Sequence, residues 1–195
     1  TFSSWTLILF GASMLLNGLI SIGVGVGIEI PPWLIMSGVS IFATGFASAA
    51  LTALVVRHVI IPSMVDNGED LDHMFKPHEH VMHNLALVLL SIDLLLGGMV
   101  ILWELISLSL IVGALYLIFA EFWAIKGAGY YVYEFIDPRP KFAPLFLSGL
   151  LGVCLISFCI GLAISEIRED YPLLAAFAIL LFLSFSVRFR DPSTR

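Results

Sequence analysis

Two consecutive stretches of this sequence, Trp5–Ile28 and Trp33–Val56, contain no Asp, Glu, Lys or Arg. A helix needs roughly 20 apolar residues to cross the hydrocarbon of a bilayer, and each stretch exceeds that. The rest of the chain supplies too little polar surface to offset them. Hydrophobic residues make up 59% of the 195 and charged residues 12%, against about 25% charged in an ordinary soluble domain. Mean hydropathy is +1.03. A water-exposed globule and a disordered chain are both excluded. Nucleic-acid binding is excluded too, because 9 Lys+Arg stand against 15 Asp+Glu for a net charge of −6. The chain reads as one integral membrane domain, residues 1–195, an all-α polytopic helix bundle.

About six transmembrane helices are expected, at 5–28, 33–56, 81–101, 105–125, 142–164 and 171–187. The first is read as a span, being too long and too clean for a cleaved leader. A polar loop from Arg57 to Glu79 separates the second from the third. The third and fourth are split by a tight turn near Gly97 to Glu104, since together they are too long for a single crossing. No internal repeat or low-complexity tract is present.

Cation placement supports this count. With six spans, both termini and the loops 57–79 and 126–141 share one face. That face carries Arg57, Lys76, Lys126, Arg139, Lys141, Arg188, Arg190 and Arg195, and the other holds Arg168 alone. The positive-inside tendency then turns the cation-rich face to the cytoplasm, or to the matrix or stroma of an organelle.

All 5 histidines, His58, His73, His78, His80 and His83, lie between the end of the second span and the start of the third. His78-x-His80-x-x-His83 with Asp70, Asp72 and Glu79 offers the donors of a metal site. His58 facing His80 or His83 offers the axial pair of a b-type haem. The ordinary alternative is a solvated interfacial loop. His83 stands apart because it begins a lipid-embedded helix, where a polar group without a partner is costly. Asp93 lies about 15 Å further along that helix, near mid-membrane, as a functional carboxyl or a structural hydrogen bond to Asn17 or Ser91. Glu121 is read as pairing with Lys126.

Ser3, Ser4 and Thr6 open the first span, where hydroxyls ordinarily cap a helix. Thr6 and His83 enter the bilayer from the same face at comparable depth, so a Thr nucleophile with a His base is geometrically open. The aromatic run Gly129–Pro138 reads as an interfacial belt or as a lipid-facing mouth with Asp137 turned toward the histidine loop. Cys154 and Cys159, about 140° apart on a helix, read as buried packing thiols that cannot pair.

Pro62-x-x-x-Asp66, His80-x-x-His83, Asp93 and Gly129-x-x-Val132-Tyr133-x-Phe135-x-Asp137, in this order and following Trp5, resemble the androgen-induced and androgen-dependent TFPI-regulating family of multipass membrane proteins. The resemblance runs from about Trp5 to Ile164. It implies an intramembrane hydrolase of fatty acid esters of hydroxy fatty acids, with a threonine nucleophile and the second His of the pair, His83, as base. Alignment on Trp5 without a gap puts Leu9 at the nucleophile position; a three-residue slip puts Thr6 there. With Thr6 the chain is a lipid-ester hydrolase, and with Leu9 catalysis is lost and the fold persists as a lipid binder or as a structural subunit of a larger membrane complex. The implied partners are membrane lipids, with other membrane subunits in the second case. The bis-His haem protein is the third reading. In the preferred one the site is Thr6 and His83 and no cofactor is needed.

Overall fold

The computed structural model describes residues 1–127 and 129–191; Arg195 lies outside them. The described residues form an all-α bundle of six helices: α1 Phe2–Gly25, α2 Pro32–Asp66, α3 Pro77–Leu96, α4 Trp103–Gly127, α5 Ala143–Ile167 and α6 Pro172–Ser186. The first five are long and apolar enough to cross a membrane, and α6 is a shorter apolar helix of 15 residues. Helices alternate in direction. One end of the bundle gathers the start of α1, the ends of α2, α4 and α6 and the starts of α3 and α5. The other carries the turns at 26–31, 97–102 and 168–171.

The centre of the bundle is α2, which contacts each of α1, α3, α4, α5 and α6. Its sequence explains this position. From Gly38 to Ala53 it is built largely of Gly, Ala, Ser and Thr, and such small side chains let neighbouring backbones approach where there is no water to drive apolar association. Gly45 lies 3.7 Å from the Leu9 backbone, measured from where its Cβ would stand. Asn17 of α1 donates to the Gly38 carbonyl at 3.2 Å. Phe42, Phe46, Leu87, Leu90, Leu94 and Phe158 fill the spaces between helices and are completely buried. Many large apolar side chains of α1, α4 and α6, such as Ile8, Leu15, Ile118, Phe122, Leu173 and Phe177, face outward instead, as expected where lipid is the solvent.

Several boundaries differ from the sequence expectation. The second helix does not stop at Arg57-His58 but runs on to Asp66 through a π turn at Val56–Ile60. The Ile61 N–H reaches back to the Val56 carbonyl. The wide turn accommodates Pro62, whose missing N–H and bulky ring an unbroken α-helix would not tolerate. Arg57 can stay in the helix because its guanidinium donates to the carbonyls of Ser184 at 2.5 Å and Val187 at 2.6 Å, at the end of α6. The third helix ends at Leu96 rather than 101, followed by Gly97 and Gly98. Asp93 therefore sits in the last turn of α3, near the rim and not at mid-membrane. Its carboxylate folds back over Gly97, and a Cβ there would lie 1.9 Å from Asp93 Oδ1.

A buried cation closes that end of α3. Arg168 donates to the carbonyls of Leu94 at 2.6 Å, Met99 at 2.7 Å and Gly98 at 3.4 Å. These are acceptors that a helix C-terminus and its following turn leave unsatisfied, at the negative end of the helix dipole. Ser165 adds a bond from the Ile101 N–H at 3.1 Å.

Candidate functional site

The end of the bundle where α1 begins holds a cavity of about 350 Å³, bounded by α1, α2, α4, α5 and the segment after α4. Its wall is apolar apart from hydroxyls, which come from Ser3, Ser48, Thr52, Ser109, Ser148 and the tyrosines 116 and 133. Ser48 and Thr52 share a face of α2 at the i, i+4 spacing. Ser109 Oγ on α4 is buried without a hydrogen-bond partner. The volume is within the range of small-molecule sites. An almost wholly apolar lining with isolated hydroxyls suits a chain of hydrocarbon carrying a few oxygen atoms.

Of the hydroxyls that open α1, each has a different task. Thr1 is the helix cap, its Oγ1 accepting from the Ser4 N–H at 3.2 Å. Thr6 is completely buried and shares a hydrogen bond of 3.0 Å with Thr52 Oγ1. It pins α1 to α2 and is not part of the cavity wall. Ser3, expected only to cap, is the α1 hydroxyl that meets the cavity, 3.5 Å from the Tyr133 hydroxyl. Ser3 and Thr6 are about 60° apart around one helix, so sequence spacing could not tell core from cavity wall.

His83 lies in a π turn at Val81–Leu85, on the segment of α3 that packs against α1 and α2. It is buried, its Nδ1 3.4 Å from Glu79 Oε2 but without an aligned hydrogen bond. No hydrogen bond joins His83 to Thr6, whose hydroxyl is paired with Thr52. His58 and His80 do not face one another. His58 bonds the Phe185 carbonyl at 3.0 Å and stacks on the Phe185 ring. His80 bonds Asn84 and lies between Phe75 and Phe189. Among the described residues no three His, Cys, Asp or Glu side chains gather as metal ligands. His58 and His80 instead serve the joint between α2, α3 and the end of α6, where Asn84 clasps both the N–H and the carbonyl of Arg188.

The segment after α4 also departs from expectation. Asp137 does not turn toward the histidines; it binds Arg139 at 2.8 Å, and the guanidinium lies over the Tyr131 ring. That guanidinium holds the Asp137 carboxyl below the usual carboxylate range. Glu121 does not pair with Lys126 but accepts a hydrogen bond from the Tyr131 hydroxyl. That bond, with some burial, pushes the Tyr131 phenol up to about 12. Because its folded value lies above the ordinary 10, the stabilisation is complete below about pH 10 and is lost as pH rises toward 12. An ultraviolet titration of wild type minus Tyr131→Phe should isolate one phenol with a midpoint near 12. A midpoint at the ordinary value would mean that Tyr131 does not hold Glu121. On α5, Cys154 is buried but Cys159 faces outward, and both are free thiols.

Comparison with protein-family models, with curated proteins and with solved structures finds no match to this chain.

Proposed function

We propose that this protein takes an acyl lipid from the bilayer into the α1/α2/α4/α5 cavity and acts there as a lipid-ester hydrolase. The observation that carries the reading is the apolar cavity with the Ser3 hydroxyl at its α1 end. An ester whose acyl chain fills the cavity would bring its carbonyl to the start of α1, where a hydroxyl attacks, its proton passing through the base to the departing alcohol, and water then cleaves the acyl-enzyme to free the acid. Ser3 is the hydroxyl placed for this step, and Thr6, held by Thr52, positions α1. His83, on the α3 segment that packs against α1 and α2, is the base that the family resemblance supplies. The likeness to the androgen-induced family is consistent with such chemistry. The cation-rich end that holds the cavity would face the cytoplasm, or a matrix or stroma.

Labelling of the purified protein in detergent with an acyl-chain fluorophosphonate tests this. Ser3→Ala is expected to lower the labelling rate by about 100-fold or more and His83→Gln by about 100-fold, while Thr6→Ala retains labelling. Loss with Thr6→Ala and retention with Ser3→Ala would return the nucleophile to Thr6. No labelling of a wild-type protein that still binds the acyl chain would remove hydrolysis and leave lipid binding.

A further inference from the structure

The cavity wall carries no Asp, Glu, Lys, Arg or His. An ester opened there develops a negative charge on its carbonyl oxygen that meets no cation, and an unmet charge in an apolar place is costly. Hydrogen-bond donors in the wall are what can offset it.

The hydroxyls of the wall are not equal in this respect. Thr52 is shared with Thr6, and Ser48 lies one turn of α2 deeper than Thr52. Ser109 lies two turns of α4 deeper than Tyr116, about 10 Å away along the helix. Tyr116 marks the α1 end, its ring packed on Phe2 at 5.0 Å. The Tyr133 hydroxyl stands beside Ser3 itself, with 3.5 Å between the two oxygens. That separation is too long for a strong bond between hydroxyls, so the phenol O–H is not tied to Ser3. An oxygen on the carbon that Ser3 attacks is geminal to Oγ, and a donor at this distance from Oγ is within hydrogen-bond reach of it.

Packing, not the hydroxyl, holds the Tyr133 ring in place. It stacks on Phe135 with the ring centroids 5.2 Å apart. Ile136, further along the same segment, is buried against Tyr116 and Ala120, and Tyr116 stands edge-on to both Phe2 and Trp5. The donor is therefore set beside Ser3 before any ligand arrives, and little has to move at the moment of reaction.

We propose that Tyr133 is the oxyanion donor of the site, a catalytic residue whose phenol O–H meets the reacting oxygen. The proposal rests on the hydrolase reading with Ser3 as nucleophile. As the bond from Ser3 Oγ to the carbonyl carbon forms, the π pair moves onto the carbonyl oxygen and the Tyr133 O–H donates a hydrogen bond to it. The phenol keeps its proton. The pair returns to the carbonyl when the bond to the alcohol breaks, and the Ser3 proton leaves with that alcohol by way of the base. The same donor serves again when water opens the acyl-enzyme.

An alkyl trifluoromethyl ketone tests this, because a serine adds to its carbonyl and leaves an oxyanion where the ester would. Tyr133→Phe keeps the ring and its packing. It should weaken ketone binding about 100-fold and lower kcat for a p-nitrophenyl acyl ester by about the same factor, with KM within about twofold of wild type. The matching trifluoromethyl alcohol cannot form the oxyanion and should bind Tyr133→Phe and wild type alike. Fluorotyrosine at position 133, a stronger donor of nearly the same shape, should tighten the ketone, a change that loss of folding cannot imitate. Tyr130→Phe, at an exposed tyrosine outside the cavity wall, should match wild type. Equal ketone affinity and kcat in Tyr133→Phe and wild type would overturn the oxyanion role and leave hydrolysis standing, as would ketone and alcohol weakened alike. A wild-type protein that neither turns over the ester nor shifts the fluorine resonance of the ketone would overturn the hydrolase reading and this role with it.

Discussion

Arg168→Met is expected to lower stability by about 3 kcal/mol, the scale of losing several hydrogen bonds from a buried charged donor. In a thermal melt in detergent that corresponds to a fall of about 6–12 °C for a chain of this size. The guanidinium is the common partner of the Leu94, Gly98 and Met99 carbonyls. Without it those acceptors lie at the end of α3 with no donor in reach, and methionine fills the volume but supplies none. Lysine should rescue only part of the loss, because a single ammonium cannot reproduce the spread of the guanidinium fork. Hydrogen exchange at 97–102 should rise selectively in Arg168→Met. A melting temperature unchanged from wild type would show that water or detergent headgroups satisfy the same carbonyls.

Gly161→Leu should be comparably damaging for a different reason. A Cβ at position 161 would stand 2.7 Å from Phe46 Cε1 and 2.7 Å from Ile101 Cδ1, closer than carbon atoms approach. Phe46 is completely buried in the centre of α2, stacked with Phe42 and Phe182, so it has no free space to move into. Overpacking of this kind costs about 1–3 kcal/mol and more when several atoms are inserted. The expected result is a lower melting temperature for Gly161→Leu and a smaller drop for Gly161→Ala. Gly113, with open space where its Cβ would be, serves as a control, and Gly113→Ala should melt close to wild type. Equal melting temperatures for the position-161 variants and wild type would mean that α5 does not pack on α2 as closely as described.

The six helices were legible because runs of uncharged apolar residues have few other structures open to them. Their ends were less so. Arg57 and His58 look like a stop signal, and only the carbonyls at the end of α6, far away in sequence, show why a cation and an imidazole can remain within a helix. The displacement of Asp93 from mid-membrane to the rim follows from the Gly97–Gly98 turn, which ends α3 earlier than its hydropathy alone does. The site was harder. Its hydroxyls come from α1, α2, α4, α5 and the segment after α4, and serine and threonine are too common in membrane helices for any one to attract notice. The i, i+4 pair Ser48 and Thr52 on the face of a helix rich in small residues is the signal that was present. Ser3 and Thr6 could be separated only by knowing that Thr52 sits opposite Thr6. The histidine cluster lies at the same end of the molecule as the cavity, but His58 and His80 are tied to the end of α6 rather than to each other.

The use of Arg168 inside the protein has an effect on the membrane surface above it. Glu29, Glu104, Glu166, Glu169 and Asp170 are exposed at that end, and among the described residues the one cation beside them is buried under the helix it caps. Its nearest exposed carboxylate, on Glu169, is 3.7 Å away, which offsets one acid and leaves the others facing water. That rim therefore carries a negative potential that repels anionic headgroups over roughly a Debye length, about 8 Å at physiological salt. The opposite end is close to neutral, because its lysines and arginines are matched by Asp66, Glu69, Asp70, Asp72, Glu79, Glu121, Glu134, Asp137 and Asp191. The net charge of −6 therefore falls almost wholly at the end that carries the turns at 26–31, 97–102 and 168–171.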